Sequence, residues 1–276
     1  MRLAICNEMF DGLPLSEVFS IASSLGYDAV EVAPFTISSS VRRISPEERR
    51  RIHDLAHERG IAVAGTHWIL ISDLNLMLFD QLGGCRRETV DYLKDVVIFT
   101  ADIGGEVVVF GSPRQRSVPS PELLEVAKRN AAHALGEIGD LAEECSVIFC
   151  IEPLSKDQTN FVNTASEAVE LIDDAGGGGL GLILDVRSMC DESKTFSEII
   201  ALGSKHLKHF HANDCNGYIP GSGSADYRQI MSSLKMACYD RYLSVEVFDS
   251  RPSPFHVARE SIKKLREFMG WGEPHP

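Results

Sequence analysis

The sequence predicts a single-domain α/β protein, a (β/α)8 barrel, on three observations. Short apolar runs alternate with helix-patterned segments along the whole chain, the pattern of a parallel sheet covered by helices. Eight strand-then-helix units can be read, and eight closes a parallel sheet on itself. The length of 276 residues suits one such barrel, which needs about 250. An open doubly wound sheet is the alternative, but no Gly-x-Gly-x-x-Gly follows the first apolar run, as that fold's nucleotide site would require.

Leu3-Ala4-Ile5-Cys6 is the first strand. Pro14 opens a helix over 14–25 whose Leu15, Val18, Phe19 and Ala22 share one stripe, and Gly26 stops it. Ala29-Val30-Glu31-Val32 is the second strand. Ser45-Pro46-Glu47-Glu48 is a capping box, opening a helix that runs to Gly60. Ile61-Ala62-Val63-Ala64 is the third strand, delivering His67 and Trp68. After a loop over 71–84 come a helix over 86–102 and the fourth strand, 106–110. Ser120 and Pro121 are expected to cap a long helix to Glu144. Strand five is 147–152, and Thr164 with Glu167 forms a capping box for a helix stopped by Gly176. Strand six is 180–185, followed by a short helix over 197–202 capped by Thr195. Strand seven is 207–211. Asp226 caps a helix to Ala237, strand eight is 242–247, and a last helix spans 254–268. The barrel is expected over 1–270, with 271–276 a loose tail.

A net charge of −13 argues against nucleic acid or an anionic membrane surface as partner, because phosphate binding needs a basic footprint. No apolar stretch approaches the roughly 20 residues of a membrane span. Met1 leads straight into the first strand, so no signal peptide is expected. The seven cysteines form no Cys-x-x-Cys pair, so they read as reduced, mostly buried thiols of a cytoplasmic protein.

Four apolar runs end in a residue able to bind metal. Strand five ends at Glu152, strand six at Asp185, strand seven at His211 and strand eight at Glu246. In a (β/α)8 barrel the C-terminal strand ends carry the chemistry, and these four strands are neighbours. Three carboxylates and one imidazole form an oxygen-rich donor set. It suits one divalent ion, Mn²⁺ or Mg²⁺, with Co²⁺ or Zn²⁺ as alternatives. His209 lies two residues before His211, on the same face and deeper. Two glycine-rich stretches carry no phosphate site. Residues 176–179 form a helix stop and turn, and 220–223 lack the Lys-Ser/Thr of a P-loop; the latter are expected to form a lid beside the metal.

Ile151-Glu152-Pro153-Leu154, Leu184-Asp185, His209-Phe210-His211 and Ser244-Val245-Glu246-Val247 carry a resemblance, with Pro220-Gly221-Ser222-Gly223 and Asp226 in support. Across essentially its whole length the chain resembles the xylose-isomerase-like TIM-barrel superfamily, in particular the sugar phosphate isomerase/epimerase group that contains the tagatose 3-epimerases. The resemblance implies a metal-dependent isomerase or epimerase of a small sugar or keto-sugar, assembled as a homodimer or homotetramer. It also implies that Glu152 and Glu246 are the acid/base pair. One takes a proton beside a carbonyl and the other returns it to the opposite face, through a metal-stabilised enediolate.

The chain departs from the epimerase pattern at three substrate-holding positions. Ser188 stands for a His, Gly217 for an Arg and Gln158 for a Glu. The ketohexose substrate is therefore open, and a lyase of the same superfamily is the alternative: an inosose or dehydroshikimate dehydratase, or an eliminase of 3-keto-glycosides. Candidate substrate contacts are His67, Arg114, Lys156, Gln158, Arg187 and Ser188, with Arg116 beside them and Trp68 and Phe35 as an apolar wall. The fold is also that of endonuclease IV, but the many further His ligands of that site are missing.

Overall fold

The computed structural model describes residues 1–10, 12–72, 74–249 and 253–270. Eight parallel strands close in sequence order: β1 (Arg2–Cys6), β2 (Ala29–Val32), β3 (Ala62–Thr66), β4 (Val107–Phe110), β5 (Ile148–Ile151), β6 (Leu180–Asp185), β7 (Leu207–Ala212) and β8 (Tyr242–Val245). β8 pairs back onto β1, with Val245 opposite Ile5. The (β/α)8 barrel is thus the observed fold, and each strand lies within a few residues of its predicted place. The tail expected at 271–276 lies outside the described residues.

The helices are α1 (Leu15–Leu25), α2 (Pro46–Glu58), α3 (Arg87–Asp102), α4 (Leu124–Glu144), α5 (Ala165–Ala175), α6 (Val186–Met189), α7 (Phe196–Gly203), α8 (Tyr227–Met236) and α9 (Pro254–Met269). No helix among the described residues is long and apolar enough to cross a membrane. Both reciprocal bonds of the capping box form at Ser45 and at Thr195. At Thr164 only half does, because the Glu167 carboxylate accepts from Asn163 N at 2.6 Å instead. Ser120 makes no side-chain cap bond, and a 3-10 turn (Pro121–Leu123) precedes α4. α6 was not foreseen. Its single turn is too short to show a helical period, and it exists because the Asp185 carboxylate accepts from Ser188 N at 2.8 Å.

One large core lies between the strands and the helices. Two small clusters, Ala4, Ala29, Ala64 and Tyr242, and Val107, Val109, Cys150 and Ile183, pack apart from it. Strand alternation turns the second set inward. Cys150 and Ile183 therefore sit two residues below Glu152 and Asp185, and the carboxylates face the mouth above a dry plug. At Gly65 a side chain is impossible: a Cβ there would lie 2.1 Å from Val107 O.

The expectation of seven free thiols fails at one pair. Cys190, at the C-terminus of α6, is disulfide-bonded to Cys215 in the loop after β7; the other five are free. Nothing in a 25-residue spacing signals a bond, and only the adjacency of β6 and β7 brings the two together. Thiol counting on the unfolded, unreduced chain should find five reactive groups. Reduction should lower stability by about 3 kcal/mol for a loop of this length. Finding seven thiols without reductant would refute the pairing.

Candidate active site

Asp185 and His211 are partners in the β6–β7 ladder, and His211 pairs with Ser244, two residues before Glu246. Glu152 follows β5 directly, its N–H donating to Phe110 O. The ladders thus carry four side chains to one level. One ligand atom from each of Glu152, Asp185, His211 and Glu246 lies within 4.8 Å of the others, and all four residues are buried. His211 Nδ1 stands 3.0 Å from Glu246 Oε2 and 3.6 Å from Glu152 Oε1. The first approach is not aligned for a hydrogen bond and the second is too long for one, so the atom has no hydrogen-bond partner.

The electrostatics say what this cluster lacks. Burial, and then the negative charges of Glu246 and Glu152, push the Asp185 carboxyl up to about 7. Burial would lower the His211 imidazole, but Glu246 and Glu31 outweigh it and hold it well above its ordinary value. Three crowded carboxylates and a bare imidazole nitrogen call for added positive charge. The residues fit a hard divalent cation held by oxygen and one nitrogen.

A second layer lies beneath. Glu31 is fully buried in β2. His209 Nε2–H donates to its Oε2 at 2.7 Å, and His211 Nε2–H to its Oε1 at 3.1 Å. Burial would raise the Glu31 carboxyl; the two imidazoles outweigh it and hold the group well below the carboxylate range. Beside it, His67 Nε2–H donates to Glu8 Oε2 at 2.6 Å. Asn213 Nδ2 donates to Asp185 Oδ2 at 2.6 Å, and Asn213 Oδ1 accepts from Arg187 N. Trp68, in the left-handed region at φ 53°, donates Nε1–H to Glu246 Oε1 at 3.1 Å. Such a backbone is strained for a bulky residue, and here it aims an indole at an acid.

The cluster opens into a pocket at the mouth of the barrel. Of the predicted substrate contacts, His67, Gln158 and Ser188 line it, together with Trp68 and Phe248. Arg114 lines a separate hollow with Leu70 and Gln115. Lys156 is exposed and is not among the pocket's walls. Arg187 stands one layer back, its guanidinium 5.2 Å from the Phe248 ring centre. Phe35 and residues 220–223 are not among the walls either. Arg116 belongs to the interior: it is fully buried and donates to the carbonyls of Phe110 (3.1 Å), Glu152 (2.6 Å) and Val162 (3.4 Å). Glu8, Glu31, Asn213 and Phe248 join the site without being among the residues the sequence pattern singles out. A lone carboxylate inside the apolar run of β2 was the available signal for Glu31.

Fold and site together define a (β/α)8 barrel with a carboxylate-and-imidazole centre at the mouth of strands five to eight. The xylose isomerase-like TIM barrel family model matches residues 19–268, and the chain belongs to that family. It is 30% identical over 230 residues to a D-psicose 3-epimerase of Agrobacterium fabrum, covering 82% of this chain and 76% of the relative. Identity to the D-psicose 3-epimerase of Enterocloster bolteae is 24% over 253 residues, 89% and 82% of the two chains. The fold matches the solved 3-keto-D-glucoside 4-epimerase of E. coli with a TM-score of 0.81, at 19% identity and covering 97% and 99% of the chains.

Proposed function

We propose that the protein is a divalent-metal-dependent sugar epimerase acting on a small ketose or keto-sugar. One observation carries this reading: Glu152 and Glu246 both reach His211 Nδ1 and both line the same pocket. Two carboxylates at one carbon are what removal and return of a proton require. A cation held by Glu152, Asp185, His211 and Glu246, Mn²⁺ in this reading, supplies positive charge to the oxygens of the substrate as negative charge develops there.

The chain's own residues do the rest. The indole N–H fixes one oxygen of Glu246, which orients the other. The Glu152 carboxylate lies against Gly111, where a Cβ would stand 2.3 Å from Oε2, so the missing side chain leaves room for that rotamer. One glutamate takes the proton from the carbon beside the carbonyl, and the other delivers one to the opposite face. Trp68, Leu154 and Phe248 give the pocket an apolar lining, which suits the C–H face of a sugar. Ser188 and Gln158 offer neutral hydrogen bonds.

Protein loaded with Mn²⁺ in D₂O should convert a ketose from a panel of ketopentoses and ketohexoses into its epimer, with one deuterium on the inverted carbon by NMR. A lighter, unsaturated or cleaved product would instead mean that the first proton removal is followed by elimination. No exchange in any sugar would overturn the epimerase reading.

A further inference from the structure

We infer that Glu31 is a positioning residue for the metal centre: it holds the proton of His211 on Nε2 and so presents Nδ1 to the cluster as a lone pair. This rests on the reading of Glu152, Asp185, His211 and Glu246 as metal ligands.

The argument starts from where Glu31 sits. It lies in the middle of β2, between Cys6 of β1 and Gly65 of β3 in the ladders, and is fully buried. An unpaired carboxylate inside a barrel is expensive, and an apolar residue fills such a space at less cost. Packing alone does not account for it. The β2–β3 register shifts between Val30 and Glu31, and irregularities of this kind re-aim a side chain.

The aim is specific. The two carboxylate oxygens go to the Nε2 atoms of two histidines on one strand, His209 at 2.7 Å and His211 at 3.1 Å. An imidazole that binds a metal is neutral and carries one N–H, so with that ion bound an Nε2–H held by an acceptor leaves Nδ1 as the lone pair. That Nδ1 is the atom facing Glu246 and Glu152, buried and without a hydrogen bond. His209 completes the support. Its ring meets that of His211 edge to face at 5.3 Å, and its bond to the other oxygen fixes the carboxylate's rotation. Carboxylates behind a ligating histidine fix its tautomer and ring orientation, and their loss weakens metal affinity about 10- to 100-fold.

The test is Mn²⁺ affinity by isothermal titration calorimetry on the wild type, Glu31→Gln and Asp185→Ala, with circular dichroism to establish folding. Glu31→Gln should bind Mn²⁺ about 10- to 100-fold more weakly while folded, a change that a purely structural role would not produce. Wild-type affinity in folded Glu31→Gln, with Asp185→Ala losing the ion, would overturn this inference alone. Wild-type affinity in Asp185→Ala would overturn the ligand assignment itself. If Glu31→Gln does not fold, ¹⁵N NMR of the Mg²⁺-loaded wild type decides. A proton on Nε2 of His211 supports the inference, and a proton on Nδ1 overturns it.

Discussion

Glu246→Gln is expected to lower the rate of substrate C–H exchange by three orders of magnitude or more. General acid–base transfer by a placed side chain contributes about 10²- to 10⁴-fold, and Glu246 stands to lose more than that role. The amide keeps the shape and can still accept from Trp68 Nε1. It cannot take a proton, and it removes one negative charge beside His211 Nδ1. Glu152→Gln should behave alike for the opposite face. Deuterium wash-in at the exchanging carbon, measured with bound metal on the same samples, separates loss of the base from loss of the ion. A rate within tenfold of wild type at equal metal content would remove Glu246 from the proton-transfer pair.

Arg116→Met should be strongly destabilising, by roughly 2–3 kcal/mol. Three segments meet at this guanidinium: the end of β4 through Phe110, the end of β5 through Glu152, and the left-handed turn at Val162. Methionine follows the path of the stem but removes the guanidinium from all three carbonyls: Phe110 O keeps the Glu152 N–H and Val162 O the Leu154 N–H, while Glu152 O loses a 2.6 Å bond in the interior. Burial already pulls the Arg116 guanidinium down to about 10, against the opposing charge of Glu152, a sign of how dry the site is. Thermal or denaturant unfolding measures the loss. Stability within 1 kcal/mol of wild type would mean that the carbonyls find other donors. Because one of the three carbonyls belongs to Glu152, the variant should also misplace a carboxylate of the proposed proton-transfer pair that it never touches through its side chain.

The barrel was legible because its signals are local. Apolar runs, proline starts and capping residues such as Ser45 and Thr195 each declare an element within a few residues. The four cluster residues were legible for a related reason: each polar side chain lies at, or directly after, the C-terminal end of a buried strand. Pairing across the barrel was not legible. Glu31 lies 178 residues from His209, and no short stretch announces that they meet. Arg116 shows the converse error. In a loop after strand four, an arginine reads as a candidate substrate contact; three backbone carbonyls drew it inside. Arg114 and Lys156 were placed on the correct end of the barrel, but side-chain direction within a loop follows from packing that the residue string does not encode. The Cys190–Cys215 bond is a third case, since it depends on two loops that only the closed sheet sets side by side.

That bond turns part of the barrel into a covalent ring. The ring encloses α7 and β7, and with β7 the imidazole at the centre of the cluster. One backbone cut anywhere between 191 and 214 therefore leaves a single molecule with both new ends tethered, whereas a cut elsewhere releases a fragment held only by packing. Proteolytic nicking, an engineered split or an inserted tag is thus tolerated covalently in this stretch alone among the described residues. It is also the stretch that carries His211, the one imidazole of the proposed ligand set.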